Sequence, residues 1–197
     1  MSSGGARITG GELRGRGLDV GPGVRPTEGR VREALFSIWQ ETIPGSRFLD
    51  LFAGSGVFSF EAISRGAASS TAIEQDRRSA AAIANLAKEW SAPVTAIAGD
   101  VFAEIPRLSG RFDIVYADPP YAFGRYDELL AALDRDELLA DDAFVGIEHQ
   151  RRTEPFTIET KRLKATRRAE YGEVWITLFE VARSRGGAVA RPNPETA

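Results

Sequence analysis

Five short apolar runs, at residues 48–52, 70–74, 94–98, 112–117 and 144–148, recur along the chain, with helix-like segments filling most of the gaps between them. Each run has the length and composition of a buried strand. Residues 58–65 suit a helix stopped by Gly66, residues 77–90 put Ile83, Leu86, Ala87 and Trp90 on one face, and residues 126–133 suit another helix. Strands that alternate with helices need crossover connections. Right-handed crossovers make the strands parallel and cover the sheet on both faces. The expected fold is therefore α/β and doubly wound. Residues 156–165 and 174–181, around Tyr171-Gly172, add a closing antiparallel pair and bring the sheet to seven strands.

The region before the first buried run reads differently. Residues 8–13 suit a short hairpin with a Gly10-Gly11 turn. After Pro22 and Pro26, Thr27 is a good N-cap, and Val31, Ala34, Leu35 and Ile38 fall on one face of a helix that ends near Pro44-Gly45. The expected organisation is an N-terminal extension over 1–45, a main domain over 46–183 and a disordered tail over 184–197. That tail holds two glycines, two prolines and no apolar periodicity.

A length of 197 residues with 43% hydrophobic content suits one domain with a sizeable core. No apolar stretch reaches the ~20 residues of a membrane span, and the Gly-rich start lacks a signal peptide's apolar core. A cytoplasmic location is expected. With no cysteine and a single histidine, His149, the chain has no disulfide and no Cys- or His-cluster metal site. The net charge of −3 argues against a uniformly basic nucleic-acid binder. Charge is nonetheless uneven. Residues 1–32 hold six arginines against three acids, and residues 151–168 hold seven bases against two acids. Two such segments suit an anionic polymer if folding brings them together, and otherwise they are solvated surface.

The fourth run is followed directly by Asp118-Pro119-Pro120-Tyr121. Consecutive prolines lack N–H groups and stop a central strand, which puts this tetrapeptide on a rim of the sheet. In open α/β sheets, ligands bind at the carboxyl ends of the strands. There the Asp118 carboxylate and the Pro119 carbonyl can accept two hydrogens of an exocyclic amine, while the Tyr121 ring stacks on a planar base.

The first run leads into Asp50-Leu51-Phe52-Ala53-Gly54-Ser55-Gly56, a turn whose glycines let the backbone approach a ligand beneath a helix N-terminus. A dinucleotide-binding turn would have a third glycine where Ser59 stands, so pyrophosphate recognition is disfavoured. Asp50 suits a cationic amino-acid group instead, of the kind S-adenosyl-L-methionine carries. Glu74, ending the second run, can take two ribose hydroxyls, and Asp100, after the third, can accept from an adenine amine with Val101 or Phe102 against the ring. Each acid taken singly is equally a helix N-cap.

These motifs closely resemble the RsmD family, whose members are bacterial guanine-N2 methyltransferases of small-subunit (16S) ribosomal RNA. The resemblance rests on Arg25-Pro26-Thr27, Arg30-Val31-Arg32-Glu33-Ala34-Leu35-Phe36, the segment Leu49 to Gly56 and Asp118-Pro119-Pro120-Tyr121. It extends to Arg7-Ile8-Thr9-Gly10-Gly11, Glu148-His149 and Tyr171-Gly172. It implies a Rossmann-like S-adenosylmethionine-dependent methyltransferase fold. The implied cofactor set is Asp50, Phe52, Ala53, Gly54, Ser55, Gly56, Glu74, Asp100 and Val101, and the implied catalytic set is Asp118, Pro119, Pro120 and Tyr121. Arg7, Arg14, Arg16, Arg25, Arg30 and Arg32 become the RNA-phosphate contacts, with ribosomal RNA as partner and no metal needed. A monomer is expected, because no apolar stripe is evident beyond those needed for the core. DNA adenine-N6 methylation uses the same tetrapeptide but wants a larger target-recognition region. A non-catalytic nucleic-acid module is a further alternative. His149 is expected as a polar strand-end residue, and Trp39, Trp90 and Trp175 as core.

Overall fold

The computed structural model describes residues 5–19, 26–120, 122–150 and 156–182. Arg25, Tyr121 and the tail over 184–197 lie outside the described residues. In chain order the elements are β1 (Gly5–Arg7), β2 (Gly17–Asp19), α1 (Pro26–Ile38), β3 (Arg47–Leu51), α2 (Val57–Ser64), β4 (Ser69–Glu74), α3 (Arg77–Glu89), β5 (Val94–Ala98) and α4 (Val101–Glu104). A 3₁₀ turn, Ile105–Arg107, precedes β6 (Phe112–Ala117), α5 (Tyr126–Leu133), β7 (Leu139–Gln150), β8 (Leu163–Tyr171) and β9 (Val174–Val181).

The main sheet has seven strands in the order β5-β4-β3-β6-β7-β9-β8. β3 to β7 run parallel, and β9 and β8 complete the sheet antiparallel. This is the expected α/β architecture. Strand alternation sorts the core into two layers. Phe48, Ile114, Tyr116, Ile176 and Leu178 face α1 and α2, while Leu49, Leu51, Val115, Val145 and Ile147 face α5 and the segment around Val101 and Ile105. Trp39, fully buried at the end of α1, lies over Gly146 of β7, where an added Cβ would sit 3.1 Å from the indole.

Three details differ from expectation. The hairpin strands lie outside residues 8–13, and those residues form the connection instead. The helix opens at Pro26, whose missing N–H costs nothing in a first turn, and ends at Ile38, with Thr42 and Ile43 donating back to the Trp39 carbonyl. The closing pair begins at Leu163, because residues 156–162 are held by side chains instead of a ladder. There Asp127 accepts from the Thr157 amide, and Asp134 accepts from the Arg162 and Leu163 amides.

The 8–16 connection docks on α2 through Glu61, which is fully buried. Its carboxylate accepts from the Thr9 amide at 2.9 Å, the Thr9 hydroxyl at 2.8 Å and the Gly10 amide at 2.9 Å. Arg32 and Arg65 complete the shell at 3.2 and 2.7 Å. Gly11 packs so closely that a Cβ would lie 1.6 Å from the Ser64 carbonyl oxygen, at a φ of +74°. Ile8 and Leu18 enter the same apolar cluster as Phe60 and Ile83, and α1 shares the core beneath Phe48. Residues 8–18 and 31–43 are therefore built into the main core.

Folding sets the Arg-rich 8–16 connection apart from the basic strand β8. The 8–16 connection sits on the β5 side, with the Arg16 guanidinium 5.2 Å over the Trp90 ring. The exposed Lys164, Arg167 and Arg168 belong to β8 at the opposite edge of the sheet.

Candidate cofactor and acceptor site

The carboxyl ends of β3, β4, β5 and β6 share one rim. At the end of β3 the backbone turns sharply, with Phe52 at φ 60°. The Ala53 amide then donates to the Ile73 carbonyl of β4 at 3.0 Å, and the Gly56 amide closes the turn on Ala53 at 2.7 Å. The glycines of this turn serve different needs. Gly54, at φ 54°, is exposed with nothing near its Cβ position, so its Cα face is open to a ligand. Gly56 caps α2 in the left-handed region, where a Cβ would come 2.9 Å from Ile83.

Each acid at the rim already has a local partner. Glu74 spans the turn, accepting from the Gly54 amide at 2.7 Å and from the Asp76 amide at 2.8 Å. Asp100 caps α4 by accepting from the Phe102 and Ala103 amides at 3.0 and 3.1 Å, and it remains exposed. Asp50 is 2% exposed and accepts from both the amide and the hydroxyl of Ser59 in the first turn of α2. Burial pushes its carboxyl up to about 7, against the lowering effect of the two Ser59 hydrogen bonds. Val101 is 3% exposed and belongs to the core. Of the pair weighed for the adenine face, Phe102 is therefore the one at the surface, half-buried with the Arg125 guanidinium 3.9 Å over its ring.

Beside this turn stands the end of β6. The Asp118 amide donates to the Leu51 carbonyl at 3.4 Å, which ties the tetrapeptide to the start of the glycine turn. Pro119 is buried, whereas Asp118 and Pro120 are exposed. Just below, the Tyr116 ring stacks on Phe58 at 3.8 Å, and its hydroxyl donates to Glu148 at 2.9 Å. Burial first, then the charges of Glu148 and Asp118, hold that hydroxyl well above the usual tyrosine range, so it is a permanent donor. A notch at this point is lined by Asp118, Pro119, Tyr126, Glu148, His149 and Val174, among others.

His149 is 3% exposed and ringed by Tyr126, Phe156 and Trp175. Its Nδ1 lies 3.1 Å from the Gln150 carbonyl, which can only accept, so Nδ1 carries a proton and Nε2 meets the Thr177 hydroxyl at 2.9 Å. It is a strand-end residue, as expected, but a buried one. Trp39 is core as expected, while Trp90 and Trp175 are half-buried beneath Arg16 and Arg168.

Of the arginines expected to meet phosphate, Arg7, Arg14, Arg16 and Arg30 are at least partly exposed. Arg32 is not. It is 3% exposed and spends its guanidinium on Glu61 and the Arg7 carbonyl, so it holds the fold together. Sequence reasoning passed over Glu61, Tyr116 and the role of Glu148. A glutamate inside the apolar helix at 58–65 was the available signal for the first, since buried acids are rare without partners.

Sheet order, glycine turn and acid-lined rim define a Rossmann-like methyltransferase. The same fold occurs in the solved yhhF protein of Escherichia coli, at TM-score 0.79 and 34% identity over 92% of this chain and all of that one. It occurs also in a hypothetical protein of Thermus thermophilus, TTHA0928, at TM-score 0.72 and 29% identity over 89% of this chain and 99% of that one. The family described as Conserved hypothetical protein 95 matches residues 6–180. Ribosomal RNA small subunit methyltransferase D of Escherichia coli (strain K12) is 39% identical over 151 residues, covering 75% of this chain and 76% of that relative. The chain belongs to the RsmD family of methyltransferases.

Proposed function

We propose that this protein transfers a methyl group from S-adenosyl-L-methionine to the exocyclic N2 amine of a guanine in small-subunit (16S) ribosomal RNA. The observation that carries the reading is the adjacency of the Asp118-Pro119 acceptor pair to the glycine turn, through the Asp118 to Leu51 hydrogen bond, in a chain related to small-subunit rRNA methyltransferases. The cofactor fits against the open Cα face of Gly54, beside the half-exposed Glu74 and the Phe102 ring. Bound there, it supplies an electrophilic methyl carbon on a sulfonium.

An aryl amine is a poor nucleophile because its lone pair is delocalised into the ring. Asp118 and the Pro119 carbonyl accept the two amine hydrogens of a guanine flipped out of its RNA, and Tyr121 supplies the stacking ring. Fixing both hydrogens favours a pyramidal nitrogen and aims its lone pair along the axis of transfer. The product amine loses its extra proton after transfer. Asp118 therefore acts by orienting the amine and does not need to remove a proton before attack.

The accessible Arg7, Arg14, Arg16 and Arg30, together with Arg25, meet RNA phosphates on the N-terminal side. The enzyme works as a cytoplasmic monomer. Among the described residues Ile158 is the only large apolar side chain that stands exposed, too little for a stable homodimer face.

The test is transfer of radiolabelled methyl to small subunits that lack their own guanine-N2 methylation, followed by nucleoside analysis. Label in N2-methylguanosine is the expected result. Label in N6-methyladenosine instead overturns the target base.

A further inference from the structure

β7 carries a second carboxylate to the acceptor side of the rim. β6 and β7 are parallel, with Tyr116 opposite Gly146 and Ala117 opposite Ile147. Continuing that register sets Asp118 beside Glu148, and the two-residue pleat turns both to the same face of the sheet as Tyr116. The contacts agree with the register. The Tyr116 hydroxyl reaches Glu148 Oε2 at 2.9 Å, and Asp118 and Glu148 line the same notch. Both charges also act on the Tyr116 and Tyr126 hydroxyls. The notch holds only about 30 Å³, too little for a purine, so a base would have to lie across its mouth with one edge toward the carboxylates.

Two adjacent carboxylates on one rim match a ligand edge with several adjacent donors. Guanine has such an edge, with N1–H beside the N2 amine. Adenine offers an amine beside an unprotonated N1, whose lone pair a carboxylate repels. Resting on the guanine-N2 reading above, we propose that Glu148 is a specificity-determining residue that accepts the N1–H of the target guanine while Asp118 and Pro119 hold its N2 amine.

Tyr116 is then a positioning residue. Its hydroxyl fixes the Glu148 carboxylate, and its own ring is clamped by Phe58 at 3.8 Å. A carboxylate can accept about four hydrogen bonds, so the bond from Tyr116 is compatible with a further one from N1–H. The half-buried charge of Glu148 near the end of β7 then discriminates between bases that share an exocyclic amine.

The experiment compares small subunits reconstituted with guanine or with 2-aminopurine at the methylated position. 2-Aminopurine keeps the N2 amine but presents an unprotonated N1. Wild type is expected to prefer guanine strongly. Glu148→Gln should lower kcat/KM on guanine by roughly 10- to 100-fold, the range for losing a hydrogen bond to a charged group. It should also narrow the guanine to 2-aminopurine ratio, because the amide can donate to the bare N1. Tyr116→Phe keeps the charge and loosens its placement. It should lower kcat on guanine while the ratio holds. Cofactor affinity and thermal midpoint close to wild type show that both variants are folded. An unchanged base ratio in a folded Glu148→Gln enzyme overturns the proposal. Absence of N2-methylguanosine with wild type sinks the parent reading instead, so the two failures are distinct.

Discussion

Replacing Glu61 by glutamine keeps its volume and removes its charge, and the surrounding geometry states what should happen. Five donors converge on this carboxylate, from Thr9, Gly10, Arg32 and Arg65, and none of it is exposed. An amide has one oxygen to offer and turns an NH₂ toward at least one of these donors. Removing one partner of a buried ion pair costs about 3–5 kcal/mol, because the remaining charge is left uncompensated, and here Arg32 is that remaining charge. Gly10 and Thr9 add unsatisfied amides. For a chain of this size about 1 kcal/mol corresponds to roughly 2–4 °C, so the full loss would lower the thermal midpoint by about 6–20 °C. The loss has a ceiling. If undocking residues 8–16 costs less than tolerating the defect, the connection detaches and the midpoint falls only by its docking energy. Hydrogen exchange reports both cases, since the Thr9, Gly10, Glu12 and Leu13 amides all donate to Glu61 or Ser64 and become fast in either one. A Glu61→Gln variant with unchanged exchange at these four amides and a midpoint within about 2 °C of wild type, less than 1 kcal/mol, would refute the assignment of Glu61 as the anchor.

Further expectations concern the rim. Asp50 has a folded value raised to about 7 from 3.8, so between those pH values the unfolded chain has released a proton that the folded chain keeps. Stability contributed by this group therefore falls as pH rises from about 4 to about 7, by up to about 4 kcal/mol, and levels off above that. Denaturant unfolding across that range should show the decline in wild type and a flatter profile in Asp50→Asn. If Asp50 must be ionised to meet the cofactor's ammonium, calorimetry should find affinity rising through pH 7 in wild type alone, and a flat wild-type profile removes that role. Asp118→Asn should lose most methyl transfer while binding cofactor normally, and equal activity would end its orienting role. Gly11→Ala should unfold the chain or cost several kcal/mol, given the 1.6 Å clash. Gly54→Ala, unobstructed at φ 54°, should cost only about 1–2 kcal/mol in chemical denaturation while weakening cofactor binding by blocking the exposed backbone.

The local chemistry of this protein was legible in its sequence because local chemistry depends on neighbours along the chain. Proline pairs stop strands wherever they occur, so the end of β6 at Ala117 and the rim position of Asp118 followed from Asp118-Pro119-Pro120 alone. The bounds of β5, β6 and α5 followed equally well from composition and periodicity. What tertiary structure decided was the partner of each charge. Arg32 and Arg30 lie two residues apart in one helix, yet Arg32 is buried on Glu61, 29 positions later, and Arg30 is exposed. No local pattern marks that difference. The 8–16 connection and strand β8 are likewise both rich in basic residues, but the first docks on α2 toward β5 and the second forms the opposite edge of the sheet. The juxtaposition of Asp118 and Glu148 arises only when β6 and β7 pair in register, because a carboxylate acquires its function from the groups that surround it in space.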